Sequence, residues 1–190
     1  MCKNKIVIIV MVVMIAIIGC SNQSGNISDT NKLKENISGN SEVISMRLTS
    51  TAFENNSLIP SEFTCDGDDL SVPLSIRAVP ANAKSLALIM DDPDAPVGTF
   101  VHWVIWNLPP ETKDIMKGNA PSGLQGRTDF GKTGYGGPCP PSGTHRYFFK
   151  LYALDTILNL KDGSSKKEIE MAMEGHIIER AELVGKYKRG

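Results

Sequence analysis

Residues 85–96 read Ser-Leu-Ala-Leu-Ile-Met-Asp-Asp-Pro-Asp-Ala-Pro. The first six of these residues form an apolar run with the length of a buried strand. Three carboxylates follow within four residues, and two prolines stiffen the turn because a proline ring fixes the backbone angle φ. The pattern predicts a buried β-strand that ends in an acidic turn.

Three further segments have the composition of β-strands. Residues 46–50 alternate apolar and polar side chains, and residues 101–108 and 145–154 are rich in aromatic and β-branched side chains. Clusters of glycine and proline lie between these segments and prevent a continuous helix. The chain is therefore predicted to be mostly β.

One helix is predicted near the C-terminal end of the chain. Ser165 and Glu168 have the spacing of a capping box, in which each side chain bonds the backbone of the other residue. Gly175 is a suitable residue at which such a helix ends. Apolar side chains at one helix face follow the cap, at Ile169, Ala172 and Met173.

The segment after Gly175 allows two interpretations. As a strand it places four apolar side chains on one face, namely Ile177, Ala181, Leu183 and Tyr187. The charged Glu179 falls on the same face and interrupts the alternation. A helical continuation is therefore the alternative.

The composition is that of an ordinary globular protein. The chain has 190 residues, 41% of them hydrophobic and 22% charged, with a formal net charge of −1. This length is enough for one domain with a sizeable core and too short for two large ones. Collagen, coiled coil and general disorder are excluded. The near-zero charge argues against nucleic acid as the main partner, because no basic block is present.

The first twenty residues resemble an export signal. Two lysines precede an uninterrupted apolar run over residues 6–18, which is shorter than the roughly 20 residues that a bilayer-spanning helix requires. Gly19 directly before Cys20 resembles a prokaryotic lipoprotein cleavage site. We therefore expect a signal peptide over residues 1–19, lipidation at Cys20, and an exported protein anchored to a membrane of the cell envelope. An uncleaved membrane anchor is the alternative.

Residues 20–45 are polar, with only isolated apolar side chains. Such a segment cannot bury enough apolar surface to offset the entropy lost on ordering. It is predicted to be a flexible tether, and the folded domain is predicted to occupy residues 46–190.

Two cysteines remain in the predicted domain once Cys2 leaves with the signal peptide and Cys20 carries lipid. Outside the cytosol Cys65 and Cys139 are able to form a disulfide. The sequence alone leaves open whether they do.

Residues 126–133, Gly-Arg-Thr-Asp-Phe-Gly-Lys-Thr, match the phosphate-binding loop pattern G-x-x-x-x-G-K-T. That loop requires a strand before it and a helix after it, because the amides at the helix N-terminus hold the phosphate. Here Pro-Ser-Gly precedes the match and the glycine-rich residues 134–138 follow it, so no helix is expected. Nucleotide hydrolysis and dinucleotide binding are therefore rejected.

Two of the three histidines lie where predicted strands begin. His102 follows the acidic turn, and His145 follows residues 137–143, which are rich in glycine and proline. A protonated histidine and the amides of a glycine-rich loop can bind a phosphate oxygen, and a nearby aspartate fixes the histidine tautomer. The pattern indicates an anion site, and histidines without a ligand are the alternative. His176 is interpreted as structural.

These residues resemble motifs of the phosphatidylethanolamine-binding protein family, in its prokaryotic, Raf-kinase-inhibitor-like branch. The motifs are residues 92–96 (Asp-Pro-Asp-Ala-Pro), 102–104 (His-Trp-Val) and 137–147 (Gly-Pro-Cys-Pro-Pro-Ser-Gly-Thr-His-Arg-Tyr). Residues 64–67, 150–155 and 172–176 also resemble segments of that branch. The resemblance extends over about residues 46–188.

The resemblance implies antiparallel strands in two sheets with a short helix near the C-terminus. It also implies a small pocket for anions such as phosphate groups, with residues 137–141 as one wall. No catalytic residue, cofactor or metal is expected. The ligand-binding residues that the resemblance implies are Asp92, Asp94, Pro96, His102, Gly137, Cys139, Pro140, His145 and Tyr147.

The expected function is non-catalytic binding of a small anionic or phosphorylated ligand, such as a phospholipid head group. Because an aspartate near the anion repels it, we expect selectivity for a zwitterion such as phosphoethanolamine over bare phosphate. One alternative is inhibition of a protein partner, as is attributed to relatives in the family. Another is hydrolysis, with a metal at Asp92, Asp94, His102 and His145 or a thiol dyad of Cys139 and His145.

Overall fold

The computed structural model describes residues 45–119 and 121–190. The predicted signal peptide, the lipidation site at Cys20 and the predicted tether up to residue 44 lie outside the described residues. Within the two described ranges no helix combines the length and the apolar character that a membrane crossing requires.

Two antiparallel sheets form the fold. The smaller sheet has three strands in the order β1 (Arg47–Thr49), β2 (Leu74–Arg77) and β5 (Asp114–Ile115). The larger sheet has five strands in the order β6 (Leu124–Gln125), β4 (Phe100–Leu108), β3 (Ser85–Asp92), β7 (Thr144–Leu154) and β8 (Ile177–Lys188). The predicted fold class, mostly β with two antiparallel sheets and a short helix, is confirmed.

The predicted helix is α1 (Lys166–Met173), and its capping box is formed. The Glu168 amide donates to Ser165 Oγ at 3.3 Å, and the Ser165 amide donates to Glu168 Oε2 at 2.7 Å. Ile169 and Met173 are buried. The helix therefore begins and packs as its sequence predicts.

The final segment is the strand β8, so the alternative of a helical continuation is wrong. It pairs with β7 along almost its whole length, from Thr144 opposite Lys188 to Leu154 opposite Ile177. Glu179 is accommodated because its Oε1 accepts a hydrogen bond from the Met46 amide at 2.7 Å. The charge that interrupts the alternation thus has a partner where the chain approaches β1.

The central strand β3 is buried on both faces, which explains its continuous apolar sequence. Side chains alternate along it, so one set faces the small sheet and the other set faces α1. Leu86, Leu88 and Met90 join the core between the sheets, and Ala87 and Ile89 join the cluster that includes Ile169 of α1.

Three strand ends meet at one end of the larger sheet. Strand β3 ends there, whereas β4 and β7 begin there, since Asp92 pairs with Phe100 and Asp91 pairs with Phe148. The acidic turn after β3, the start of β4 with His102 and the start of β7 with His145 are therefore neighbours in space.

Candidate functional site

A cavity of about 200 Å³ lies at this end of the larger sheet. Its lining comes from the turn after β3, the starts of β4 and β7, and the loops that precede β7. The lining residues are Asp92, Ala95, Pro96, Val97, Phe100, His102, Phe130, Cys139, Pro140, Pro141 and His145. Only three of these side chains are ionisable in the folded chain, namely Asp92, His102 and His145, since Cys139 is bonded to another cysteine.

Asp92 and His145 form a buried pair. His145 Nδ1 lies 2.7 Å from Asp92 Oδ2, and the two side chains are only 9% and 4% exposed. The other oxygen, Asp92 Oδ1, accepts the Asp94 amide at 2.8 Å, which holds the acidic turn. Because a carboxylate accepts hydrogen bonds, Nδ1 carries the proton and Nε2 of His145 is left for a ligand.

His102 is directed into the cavity by a β-bulge. Met90 of β3 pairs with Trp103, but the next residue, Asp91, pairs with Val101, so His102 is the extra residue on β4. Its Nδ1 donates to the carbonyl oxygen of Gly136 at 2.7 Å. Nε2 of the neutral ring therefore carries a lone pair.

The surroundings of His102 favour the neutral ring. Burial lowers the pKa of His102, and the Gly136 carbonyl and the charge of Asp92 oppose that shift only in part. The aromatic rings of Phe100, Phe130 and Tyr147 lie between 5.1 and 5.3 Å from the His102 ring, centroid to centroid. The imidazole is thus held in an apolar setting that disfavours its charged form.

Six of the nine residues predicted to bind ligand line the cavity, and three do not. Asp94 is turned away because its carboxylate accepts the Arg146 amide at 2.9 Å and the Arg146 guanidinium at 2.8 and 2.6 Å. These hydrogen bonds lower the pKa of Asp94 to about 2. Asp94 therefore fastens the acidic turn to β7 and does not contact the cavity. The six that do line it are Asp92, Pro96, His102, Cys139, Pro140 and His145.

Gly137 and Tyr147 lie behind the cavity lining. The Gly137 amide donates to Asp69 Oδ1 at 2.6 Å, which attaches the wall segment, residues 137–141, to the loop before β2. Tyr147 is fully buried beneath His102, and its hydroxyl has no hydrogen-bond partner in the described part of the chain. Burial raises the pKa of Tyr147, and the charge of Asp92 adds to that effect. Both residues support the site from outside the cavity.

Replacing Gly137 by alanine is expected to lower the free energy of unfolding by about 2 kcal/mol, the typical cost of overpacking a filled site. A Cβ atom at this position would lie 2.5 Å from both Asp69 Oδ1 and the backbone oxygen of Phe63. The backbone oxygen cannot move aside as a flexible side chain does. Urea denaturation of the variant measures the loss, and a change below about 0.5 kcal/mol would contradict the close packing described for this segment.

The two cysteines of the folded domain form a disulfide. Cys65 and Cys139 are bonded, with Cα atoms 5.4 Å apart and a sequence separation of 74. The pairing that the sequence left open is therefore present in this structure. It leaves no free thiol at Cys139, so the Cys139–His145 dyad considered for hydrolysis is not formed.

Pro141 belongs to the wall predicted over residues 137–141, and the other four lining residues were not predicted: Ala95, Val97, Phe100 and Phe130. Ala95 lies within the acidic turn and Val97 directly follows it, so their place beside the motif would have indicated that they line the cavity. Phe100 pairs with Asp92 on the neighbouring strand and lies two residues before His102, so strand alternation from His102 would have indicated it. Phe130 comes from a distant loop, and no local pattern identifies it.

Phe130 belongs to the segment that matches the phosphate-binding loop pattern. Residues 126–133 form a turn in which the Thr128 amide donates to the Lys132 oxygen at 2.9 Å and the Gly131 amide donates to the Thr128 oxygen at 3.0 Å. The short strand β6 precedes this turn, but the residues after it are irregular, and α1 begins only at Lys166. The segment lacks the helix that a nucleotide loop needs, and it supplies an apolar wall.

A second cavity of about 240 Å³ lies elsewhere, with Asp69, Trp103 and Tyr135 among its lining residues. No histidine, lysine or arginine lines it. It therefore offers an anion no cationic donor, and of these two cavities the one with the two histidines is the better candidate for the predicted anion site. In residues 45–119 and 121–190, no group of three or more His, Cys, Asp or Glu side chains is arranged to hold a metal ion.

The chain is similar to known proteins over most of its length. A family model described as phosphatidylethanolamine-binding protein matches residues 49–188. The UPF0098 protein PH1269 of Pyrococcus horikoshii is 52% identical over 163 residues, which are 80% of this chain and 81% of that protein. A UPF0098 protein of Methanothermobacter thermautotrophicus is 53% identical over 151 residues, which are 76% of this chain and all of that protein.

Two crystal structures have a similar fold. A protein from Chlamydia trachomatis, described as a putative phosphatidylethanolamine-binding protein homolog, is 42% identical and superposes with a TM-score of 0.75 over 77% of this chain and 99% of its own. Escherichia coli YbcL, described as a new member of the mammalian family of that name, is 29% identical with a TM-score of 0.72 over the same shares.

Proposed function

Because the chain belongs to the phosphatidylethanolamine-binding protein family, we propose that it binds a small phosphorylated ligand without transforming it. The observation that carries the proposal is the buried Asp92–His145 pair on the lining of a cavity that also contains His102. The proposal includes the export and the lipid anchor at Cys20 that the N-terminal sequence predicts.

The two imidazoles give the cavity a polar end suited to phosphate oxygens. Nε2 of His145 and Nε2 of His102 have no hydrogen-bond partner among the described residues, whereas Nδ1 of each ring is bonded. A protonated ring donates from Nε2, and a hydrogen bond between a charged donor and a phosphate oxygen is short and strong. A ligand phosphate would therefore be the hydrogen-bond partner of both Nε2 atoms.

The size and walls of the cavity restrict the ligand to a compact group. Its volume of about 200 Å³ is below the roughly 300–1,000 Å³ of sites that enclose drug-sized ligands. Seven of the eleven lining residues are apolar without a polar side-chain atom. A small head group fits these dimensions, and a nucleotide does not.

The carboxylate of Asp92 favours a zwitterion over a simple anion. It lies on the cavity lining, so a bare phosphate would meet both the histidines and a negative charge. A ligand that adds an ammonium group two carbon atoms from its phosphate offsets that repulsion. Phosphoethanolamine has this chemistry, and we assign the site to ligands of its class.

Isothermal titration calorimetry of the full-length chain in a non-ionic detergent tests the proposal. Phosphoethanolamine, inorganic phosphate and ethanolamine are titrated separately. We expect phosphoethanolamine to bind more tightly than either of the other two. Equal affinity for phosphoethanolamine and phosphate would remove the assigned selectivity, and heat from none of the three ligands would contradict binding of a small phosphorylated ligand.

Affinity for a phosphate ester is expected to rise as the pH falls from about 7.5 to 5.5. Burial places the pKa of His102 below its ordinary value, so the ring is neutral near pH 7 and must gain a proton at Nε2 to donate to phosphate. Binding coupled to one proton strengthens with falling pH by at most about tenfold per pH unit, and we expect about threefold or more over this range.

Glycerophosphoethanolamine is the suitable probe, because the charge of a phosphodiester does not change in this range. The His102→Asn variant should bind the probe with a smaller pH dependence than the wild-type chain. An affinity of the wild-type chain that is constant between pH 7.5 and 5.5 would exclude a role for His102 protonation.

A further inference from the structure

The wall segment, residues 137–141, is attached firmly at its start and weakly beyond it. The Gly136 amide donates to the His102 oxygen at 3.0 Å, the Gly137 amide donates to Asp69 Oδ1 at 2.6 Å, and the Pro138 oxygen accepts the Cys65 amide at 3.1 Å. Among the described residues, no backbone-to-backbone hydrogen bond outside β7 involves residues 139–143. Two of these five residues are prolines, which have no amide hydrogen to donate. This part of the wall depends on other attachments.

The disulfide supplies a covalent attachment at the right place. Cys139 lines the cavity together with Pro140 and Pro141, and it is bonded to Cys65. The residue next to Cys65 is fixed, because Thr64 is fully buried and its Oγ1 donates to the Ser61 oxygen at 2.9 Å. The disulfide therefore joins residues 139–143, which have no such hydrogen bond among the described residues, to a rigid part of the domain.

We propose that the Cys65–Cys139 disulfide positions the wall segment against the ligand, so that affinity for the phosphorylated ligand depends on the redox state of this cysteine pair. The inference rests on the proposed function, since it concerns the same cavity. Cys139 is a positioning residue in this account, and the two histidines provide the contacts to phosphate.

The redox step is ordinary thiol–disulfide exchange with a dithiol. A thiolate of the dithiol attacks one sulfur, the bond between Cys65 and Cys139 breaks, and a mixed disulfide forms. The second thiolate of the dithiol then displaces the remaining cysteine. Two electrons and two protons pass to the cysteine pair, which becomes two thiols, and the dithiol becomes a disulfide.

The pair is accessible to such a reagent. Cys65 is exposed and Cys139 is half-buried at the cavity wall. Because Cys65 is exposed and does not line the cavity, a dithiol approaches the pair from the Cys65 side. Reduction removes the covalent attachment of residues 139–143, while the hydrogen bonds of Gly136, Gly137 and Pro138 remain.

The experiment compares two forms of the full-length chain in a non-ionic detergent by ¹H–¹⁵N NMR and calorimetry. One is the oxidised wild-type chain, and the other is Cys65→Ser, which removes the disulfide and keeps Cys139 at the cavity. Ile169→Ala is the control for a general loss of stability. It removes a fully buried side chain of α1 from the cluster that includes Ala87 and Ile89, and it leaves the wall segment unchanged.

We expect phosphoethanolamine to bind Cys65→Ser at least fivefold more weakly than the wild-type chain, with faster amide hydrogen exchange at residues 139, 142 and 143. Ile169→Ala should keep wild-type affinity. Wild-type protein reduced with dithiothreitol should match Cys65→Ser. Equal affinity of the oxidised and disulfide-free forms would overturn the proposal while leaving the proposed function intact.

Two other results are equally decisive. If neither form binds phosphoethanolamine, the proposed function fails and the inference fails with it. If both Cys65→Ser and the reduced wild-type chain lose the dispersed spectrum of a folded domain, the disulfide is required for folding, and a positioning role is overturned.

Discussion

The His145→Ala variant is expected to bind phosphoethanolamine about a hundredfold more weakly than the wild-type chain. In its protonated form the imidazole supplies a donor at Nε2, and hydrogen bonds to charged groups contribute about 1.5–3 kcal/mol each. Its removal also leaves the carboxylate of Asp92, which is only 4% exposed, without the partner that lies 2.7 Å away. The unpaired negative charge then repels the phosphate, so both effects weaken binding.

His176→Ala is the matched control for this substitution. His176 also pairs with an aspartate through Nδ1, at 2.8 Å from Asp155, but it is exposed and lies at the opposite end of β7. Calorimetry should give wild-type affinity for this variant. A similar loss in both variants, or unchanged affinity in His145→Ala, would show that His145 does not contact the ligand.

Removing the Cys65–Cys139 disulfide is expected to lower the free energy of unfolding by about 4 kcal/mol. The bond closes a loop between residues 74 apart in sequence, and the chain-entropy model gives this magnitude for a loop of that length. Since small domains are stable by about 5–15 kcal/mol, we expect the reduced protein to remain folded at room temperature but with a smaller margin.

Urea denaturation with and without a reducing agent measures this effect. Cys2 and Cys20 are replaced by serine for the experiment, so that Cys65 and Cys139 are the only cysteines. The reduced form should unfold at a clearly lower urea concentration. A difference below about 1 kcal/mol would mean that the loop is already constrained in the unfolded chain or that the bond is strained.

The parts of the fold that the sequence predicted are those with strong local patterns. The apolar run of β3, the aromatic run of β4 and the capping box at Ser165 each predicted an element of the right type. Strand β2 was not predicted although Leu-Ser-Ile-Arg alternates over its four residues. Strands β5 and β6 were not predicted because two residues carry no periodic pattern. Such short strands form because neighbouring strands offer hydrogen bonds, which no local pattern reveals.

Glu179 shows where local alternation misleads. Its charge on the apolar face of β8 favoured a helical alternative, yet the strand forms because a distant backbone amide, that of Met46, satisfies the carboxylate. The partner is 133 residues away in sequence. An alternation argument that considers only neighbouring residues cannot include such a bond.

The motifs predicted most of the residues at the candidate site but little of how those residues are arranged. The motifs identified Asp92, His102 and His145, but not the bulge that directs His102 into the cavity. They also placed Asp94 on the cavity lining, whereas Arg146 binds its carboxylate elsewhere. A motif identifies which residues are near one another, and the hydrogen bonds of each side chain decide which of them face the cavity.

Titration of the ¹⁵N-labelled full-length chain with phosphoethanolamine, followed by two-dimensional NMR, tests the central claim most directly. We expect the shifts to concentrate at Asp92, His102 and residues 137–145, and the His145→Ala variant to show none of them. A wild-type spectrum that does not change at millimolar ligand, or shifts confined to residues outside this cavity, would contradict the assignment of the Asp92–His145 cavity as a phosphate-binding site.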